Sequence, residues 1–143
     1  MYFHREIELK FKELYSQYPI VTLMGPRQSG KTTFVKHVLS DIPYVNLEDP
    51  TIRQLITADP NAFFDSSPDG LILDEIQRMP EILSYLQVRV DKQPDKTGLY
   101  VLTGSHQLEL HQAISQSLAG RTAILTLLPL SLAELSLTHE KAS

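Results

Sequence analysis

Eight residues near the start of the chain have the types and spacing of a phosphate-binding loop. The segment Gly25-Pro-Arg-Gln-Ser-Gly-Lys-Thr32 matches the pattern G-x-x-x-x-G-K-[ST] in full. Its glycines allow a tight turn in which successive backbone N–H groups surround an anion at the start of a helix. Lys31 would carry a positive charge to the β- and γ-phosphates, and the hydroxyl of Thr32 would bind Mg²⁺. The pattern therefore predicts a site for a nucleoside triphosphate with Mg²⁺.

Nucleotide binding is predicted for most of this segment, because the backbone makes many of the contacts to phosphate in such loops. For Ser29 and Thr33 a structural or weakly phosphate-facing role is favoured. For Arg27 a solvated side chain is favoured over a phosphate contact. The predicted nucleotide-binding positions are Gly25, Pro26, Gln28, Ser29, Gly30, Lys31, Thr32 and Thr33.

Two adjacent acids follow a short apolar run, Leu71–Leu73, which is typical of a buried strand. Asp74 is predicted to hold the Mg²⁺ shell, and Glu75 to polarise the attacking water as a general base. Ligands of open α/β sheets bind at the carboxyl ends of the strands, where these acids would lie. The alternative is a strand that exits to solvent with ordinary surface acids. The pair, and the lack of a convincing N-K-x-D segment, favour an ATPase over a GTPase or a small-molecule kinase.

Polar residues also follow a later apolar run, Leu99–Thr103. The hydroxyl of Thr103 or Ser105 could hydrogen-bond the γ-phosphate or the attacking water, or could cap the end of the strand. Arg121 precedes the last predicted parallel strand. An arginine near the γ-phosphate neutralises charge in the transition state, whether it comes from the same chain or from a neighbour. On the residues alone, a solvated or ion-paired Arg121 is favoured.

Short apolar runs that alternate with helical patterns predict the elements that position these residues. Five strands are predicted, at Ile20–Met24, Tyr44–Leu47, Leu71–Leu73, Leu99–Thr103 and Ala123–Leu128. Helices are predicted at Arg5–Tyr15, Lys31–Leu39, from Pro50, from Pro60, from Pro80 and at Leu108–Leu118. This alternation indicates an α/β fold, and strands this apolar need helices on both faces of a parallel sheet. Ser131 and Glu134 form a capping box, which predicts a further helix from Ser131.

The composition narrows the classes of partner. The chain has 143 residues and a net charge of −4, so no global basic field supports nucleic acid as a partner. There is no cysteine, which excludes disulfides and thiolate metal sites. No apolar run approaches the roughly 20 residues that span a bilayer. We therefore expect no membrane partner and a cytoplasmic location.

Several of these segments occur together, in a fixed order, in a known family. They are Gly25–Thr33, Leu47–Pro50, Leu73-Asp-Glu-Ile-Gln-Arg78, Leu102–Ser105, Ser117-Leu-Ala-Gly-Arg121 and Leu127–Ser131. The chain resembles the N-terminal ATPase domain of the AAA_14 family, an AAA-superfamily ATPase that is usually followed by a DUF4143 domain. The resemblance covers nearly the whole chain.

This resemblance implies a fold and a function. It implies a P-loop NTPase fold with strand order 5-1-4-3-2, in which the strand ending at Thr103 lies beside the strand of the phosphate loop. It makes Thr103 and Ser105 stronger candidates for polar sensors. It also makes Arg121 a stronger candidate for the arginine that senses the γ-phosphate. Residues 1–143 would be an ATPase domain at the N-terminal part of a longer protein. A DUF4143-like domain would be its missing partner, and assembly into a homo-oligomer is open.

Two functions remain open at this point. The first is an ATPase that binds and hydrolyses ATP with Mg²⁺, in which Lys31, Glu75 and Arg121 are catalytic and Thr32 and Asp74 hold the metal. The second is a nucleotide-gated switch, in which ATP sets a conformation and the isolated domain hydrolyses little or none. Both functions use the same pocket.

Overall fold

The computed structural model describes residues 5–26, 30–129 and 135–141. Its helices are α1 (Arg5–Gln17), α2 (Lys31–Val38), α3 (Pro50–Ala58), α4 (Pro60–Asp65), α5 (Ile82–Asp91) and α6 (Leu108–Ser117), with a short 3₁₀ turn at Ile76–Arg78. Its strands are β1 (Ile20–Met24), β2 (Tyr44–Asn46), β3 (Leu71–Asp74), β4 (Tyr100–Gly104), β5 (Thr122–Pro129) and β6 (Leu135–Lys141). No helix within these ranges is long and apolar enough to cross a membrane.

All six strands form one sheet in the order β2-β3-β4-β1-β5-β6. The first five are parallel, which confirms the predicted α/β fold and strand order. In this register Met24 lies opposite Gly104, and Asn46 lies opposite Asp74. The carboxyl ends of β1 to β4 therefore meet at one edge of the sheet, and the phosphate loop starts there.

The helix predicted from the capping box is wrong over Leu135–Lys141. These residues form β6, which pairs antiparallel with β5 from Ala123 to Pro129. Ser131 and Glu134 themselves lie outside the described residues. A capping box contributes only about 1 kcal/mol to a helix, whereas β5 would otherwise leave a row of backbone groups unpaired at the edge of the sheet. Pairing along seven residues satisfies those groups, so tertiary pairing overrides the local signal.

The two short helices begin where the Asp-Pro pairs predict them. The side chain of Asp49 accepts a hydrogen bond from the backbone N–H of Thr51, and that of Asp59 accepts one from the N–H of Ala62. In each helix the proline occupies the first turn, where its missing N–H costs nothing. α3 and α4 then cover one face of the sheet.

The sheet is covered by helices on both faces, as predicted. On one face α1 and α2 pack through Phe11 and Phe34, whose rings meet edge to face with centroids 5.5 Å apart. On the other face α3 to α6 form a larger core, in which Phe64 packs against Tyr100 at 5.7 Å. Every residue of β1 is buried. This two-sided burial explains why the strand is apolar along nearly its whole length rather than alternating.

Gly104→Ala should lower the free energy of unfolding by about 1–3 kcal/mol. A Cβ added at Gly104 would lie 2.6 Å from Cδ2 of Leu110 and 3.0 Å from Cγ2 of Ile76. Both of these side chains are buried, so neither can retreat without losing its packing. Urea unfolding followed by circular dichroism measures the change. Ser84→Ala, at an exposed position of α5, is the control and should stay within about 0.5 kcal/mol of the wild type. Equal effects of the two changes would contradict this close packing.

Candidate functional site

The phosphate loop leaves the sheet between β1 and α2. The backbone N–H of Gly25 donates to the carbonyl of Gly104 at 3.1 Å, so the start of the loop is attached to the end of β4. Gly30 has φ 87° and ψ 13°, the left-handed conformation that glycine adopts without strain, and α2 begins at the next residue. As a glycine, Gly30 has no side chain that could cap this helix N-terminus. The end of the helix that attracts anions therefore lies directly after the phosphate-loop segment.

Gln28 and Ser29, two of the predicted binding positions, lie outside the described residues, as does Arg27. Of the predicted positions that are described, Thr33 is exposed on the first turn of α2 and Pro26 is partly buried.

Lys31 is buried, with only 5% of its surface exposed. Its ammonium donates to the carbonyl of Gly25 at 2.9 Å and to that of Pro26 at 3.1 Å. A buried ammonium needs such partners, because leaving it without them costs several kcal/mol or more. These contacts hold the positive charge over the first residues of the loop, where the pattern predicts phosphate.

Asp74 is the most heavily bonded acid of the site. Its carboxylate is 3% exposed and accepts hydrogen bonds from three hydroxyl groups. Thr32 donates to Oδ2 at 2.9 Å, Tyr44 donates to the same oxygen, and Thr103 donates to Oδ1. The donors belong to α2, β2 and β4, so the carboxylate joins three elements to the end of β3.

Tyr44 had no predicted role in the site. It starts β2, and the pairing of β2 with β3 brings its hydroxyl to Asp74. Burial raises the pKa of Tyr44 above its ordinary value of 10.0, and the hydrogen bond to Asp74 raises it further. The phenol therefore keeps its proton at neutral pH and acts as a donor. No local sequence pattern marks this tyrosine, because its contact depends on the register of two strands.

The oxygen atoms around Asp74 fit the donor set that Mg²⁺ prefers. The hydroxyl of Thr32 and the carboxylate of Asp74 lie 2.9 Å apart, so that one ion can bind the first directly and the second through water. In the described part of the chain, no group of three or more His, Cys, Asp or Glu side chains could hold a metal ion by itself.

The backbone of Glu75, the residue after Asp74, has an unusual conformation. Its φ of 61° and ψ of 54° are left-handed, and no other non-glycine residue among those described has a positive φ. Such a conformation costs about 1–3 kcal/mol and is commonest at functional sites. The backbone N–H of Glu75 donates to the hydroxyl of Thr103 at 3.1 Å, and its carboxylate accepts from the side-chain amide of Gln77 at 2.5 Å. Thr103 therefore holds both acids in place.

A cleft of about 450 Å³ opens in front of these residues. Its lining includes Lys31, Glu48, Glu75, Gln77 and Ser105. The structure thus brings the predicted lysine, the predicted base and one predicted sensor to one cavity. The hydroxyl of Ser105 is buried and has no hydrogen-bond partner in the described part of the chain. A buried hydroxyl without a partner costs about 1–3 kcal/mol, so this group is suited to bonding a ligand or water. Glu48 and Gln77 were not predicted to take part.

Arg121 is not brought to the phosphate loop of its own chain. It directly precedes Thr122, which pairs with Ile20 at the start of β1, whereas the loop follows Met24 at the other end. Arg121 and the loop therefore lie at opposite ends of β1, a strand that rises about 3.3 Å per residue. Its guanidinium makes two hydrogen bonds of 2.8 Å to Asp91, and these hold the pKa of Asp91 below its usual value. On the residues alone a solvated or ion-paired Arg121 is favoured, and the structure shows it ion-paired. A role of Arg121 toward a nucleotide bound by a neighbouring copy stays a prediction.

A second and larger cleft, of about 550 Å³, lies near the start of β4. Its wall includes Arg89, which donates to Asp65 at 2.8 Å and to the hydroxyl of Tyr100 at 3.0 Å. Tyr100 is the first residue of β4 and therefore lies at the end of the sheet opposite the phosphate loop. We place the functional site in the smaller cleft, because Lys31 of the phosphate loop, Glu75 and Ser105 line it together.

Comparisons with known proteins identify a family model, two relatives and a similar solved structure. A family model, AAA_14, described as an AAA domain, matches residues 17–136. An uncharacterized protein of Mycobacterium bovis and one of Mycobacterium tuberculosis are each 30% identical to the chain over 124 residues. The match covers 86% of this chain, which spans 28% of the length of those relatives. The chain is also similar to the crystal structure of a KaiC-like protein from Pyrococcus horikoshii, with 14% identity, a TM-score of 0.49, and coverage of 86% and 78% of the two chains.

Tyr44→Phe should lower the free energy of unfolding by about 1–3 kcal/mol. The change removes one donor from the buried carboxylate of Asp74 and leaves the aromatic ring in place. Urea unfolding at neutral pH measures the loss. Tyr85→Phe, which removes the hydroxyl of an exposed ring, should change stability by less than about 0.5 kcal/mol. If Tyr44→Phe were as neutral as Tyr85→Phe, the hydroxyl would not be bonded to Asp74 in solution.

Proposed function

Because the chain belongs to the AAA_14 family of AAA domains, we propose that it binds ATP with Mg²⁺ in the cleft of Lys31, Glu75 and Ser105 and hydrolyses it. One observation carries the proposal. Thr32 and Asp74, which are 42 residues apart, are hydrogen-bonded at 2.9 Å beside the start of α2. A hydroxyl and a carboxylate so placed, next to a helix N-terminus and a buried lysine, are the parts that bind a metal nucleotide.

In this proposal the polyphosphate lies over the start of α2. The left-handed Gly30 and the N–H groups at the start of α2 supply an anion site, and the helix dipole adds to its attraction for negative charge. Lys31 exchanges its bonds to the carbonyls of Gly25 and Pro26 for bonds to the β- and γ-phosphates. This exchange keeps the ammonium paired throughout, so binding does not leave a buried charge alone.

Hydrolysis needs an activated water and a stabilised leaving group. The carboxylate of Glu75 takes a proton from water as the water oxygen attacks the γ-phosphorus. The bond from that phosphorus to the β–γ bridging oxygen breaks, which leaves ADP and inorganic phosphate. Bound Mg²⁺ supplies charge neutralisation at the phosphate oxygens. Thr32 and Asp74 hold the metal, Thr103 orients both acids, and the hydroxyl of Ser105 bonds the γ-phosphate or the attacking water.

A slower, switch-like function is supported by a separate observation. Arg121 is paired with Asp91 at the opposite end of the sheet and does not reach the cleft of its own chain. An arginine at the γ-phosphate can contribute about 10³–10⁵ in rate. If Arg121 acts only on a neighbouring copy, a single chain binds ATP but turns it over slowly. ATP would then act first as a conformational signal.

The wider context is also a proposal. The curated relatives are more than three times as long as the part they share with this chain. This length supports an ATPase domain within a longer protein that also carries a DUF4143-like domain. Assembly into a homo-oligomer would bring Arg121 close to the nucleotide of a neighbouring copy. A cytoplasmic location would place the site where ATP is present.

Lys31→Ala should abolish nucleotide binding. ATP with Mg²⁺, at about 100 times its Kd, should stabilise the wild type by about 2.7 kcal/mol, and this stabilisation should be lost in the variant. Thermal unfolding during titration with ATP, GTP and ADP, each with and without Mg²⁺, measures the effect and identifies the base and the metal requirement. Lys12→Ala, at an exposed position of α1, should behave as the wild type. Persistent stabilisation of Lys31→Ala would show that the nucleotide binds elsewhere.

Glu75→Gln should lower the rate of phosphate release by about 10²–10⁴ and leave ATP affinity nearly unchanged. The amide keeps the size of the carboxylate but does not accept the proton of the water. A continuous phosphate assay on the longest chain that folds measures the rate. Glu81→Gln, at an exposed position, serves as the matched control. Equal rates of the wild type and Glu75→Gln would exclude hydrolysis through Glu75 and leave the switch function.

A further inference from the structure

We propose that Gln77 is a positioning residue, whose side-chain amide links the carboxylate of Glu75 to the end of β4. The inference rests on the proposed function, since it concerns how the base of that reaction is held. Gln77 lies in the 3₁₀ turn Ile76–Arg78, directly after the left-handed residue Glu75. Gln77 belongs to the segment Leu73-Asp-Glu-Ile-Gln-Arg78, but the sequence assigned it no role in the site.

Both ends of the Gln77 amide are bonded. Nε2 donates to Oε2 of Glu75 at 2.5 Å, and Oε1 accepts from the backbone N–H of Ser105 at 3.2 Å. Only one orientation of the amide satisfies both contacts. The flipped amide would set its oxygen against the carboxylate and its NH₂ against the N–H of Ser105. The chemistry of the two neighbours therefore fixes the amide, and the amide in turn fixes the position of the carboxylate.

This link reaches the strand that neighbours the phosphate loop. Gly104 lies opposite Met24 in the pairing of β4 with β1, and its carbonyl accepts from Gly25. A Cβ at Gly104 would lie 3.2 Å from Oε1 of Gln77, so the glutamine packs directly against the strand backbone. Through Gln77, Glu75 is therefore linked to the end of β4, which is also bonded to the start of the loop.

Holding the carboxylate matters because a general base must lie within hydrogen-bond reach of the water it activates. A glutamate side chain has three rotatable bonds, and a free one spends little time in any single geometry. The backbone of Glu75 is fixed by Thr103, and Gln77 fixes the end of its side chain. The same bridge ends at the backbone of Ser105, whose buried hydroxyl has no hydrogen-bond partner among the described residues.

The test is a double-mutant cycle on phosphate release. Gln77→Ala should lower kcat by roughly tenfold, because misplacing a catalytic group by about 1 Å can cost more than that. The Kd for ATP should change by less than about twofold. In the Glu75→Gln background the same change should cause no further loss, because it acts through Glu75. Gln77→Asn keeps the amide but is one methylene shorter, so we expect the same loss. Gln112→Ala, at an exposed position of α6, is the matched control.

The outcomes separate this inference from the proposed function. A wild type that binds ATP but releases no phosphate overturns the proposed hydrolysis, and the role of Gln77 in it. A wild type that turns over, with equal losses from Gln77→Ala in both backgrounds, overturns the positioning role alone and indicates a structural one. NMR of the ¹⁵N-labelled side-chain amide gives a readout that needs no turnover. Its resonance should move in Glu75→Ala and stay in place in Glu81→Gln, and an unmoved resonance in Glu75→Ala overturns the link.

Discussion

The buried carboxylate of Asp74 is the constraint on which the rest of the site depends. A carboxylate at 3% exposure is stable only with close partners, and it obtains them from Thr32, Tyr44 and Thr103. Those partners come from a helix and from the two strands beside β3. These hydrogen bonds join α2, β2 and β4 to the end of β3, and the same arrangement sets a hydroxyl and a carboxylate beside the phosphate loop. The contacts that stabilise this carboxylate therefore include the hydroxyl of Thr32, with which Asp74 is proposed to hold the metal.

Close backbone packing then determines where Glu75 can lie. Gly104 ends β4 without a side chain, so Leu110 and Ile76 approach its backbone directly. The chain leaves β3 through the left-handed Glu75 and enters the 3₁₀ turn that carries Gln77. Strain at one residue is tolerated because Thr103 and Gln77 hold that residue from two sides. A strained backbone with this support is characteristic of a site built for chemistry rather than of a simple strand end.

The two ends of the sheet have different electrostatic roles. At the carboxyl end of β1 to β4, the lining of the cleft includes two basic residues, Lys31 and Arg78, two acids, Glu48 and Glu75, and Ser105. At the opposite end, Arg121 and Arg89 are each paired with an aspartate, Asp91 and Asp65. Exposed pairs of this kind contribute little to stability, but they keep these two guanidinium groups away from the cleft of their own chain. The cleft with the phosphate loop and these two arginine–aspartate pairs therefore lie at opposite ends of the sheet.

The sequence by itself determined the parts of this protein that depend on local chemistry. The phosphate loop, the acids after β3, the Asp-Pro helix starts and the two-sided burial of the strands follow from residues that lie close together in the chain. Family resemblance added the strand order. Tertiary structure alone decided which distant groups meet: that Tyr44 bonds Asp74, that Gln77 holds Glu75, that Arg121 faces away from its own loop, and that Leu135–Lys141 pair with β5 although a capping box precedes them. Such contacts depend on strand register and on the need to satisfy buried charges and strand edges, which no short stretch of sequence encodes.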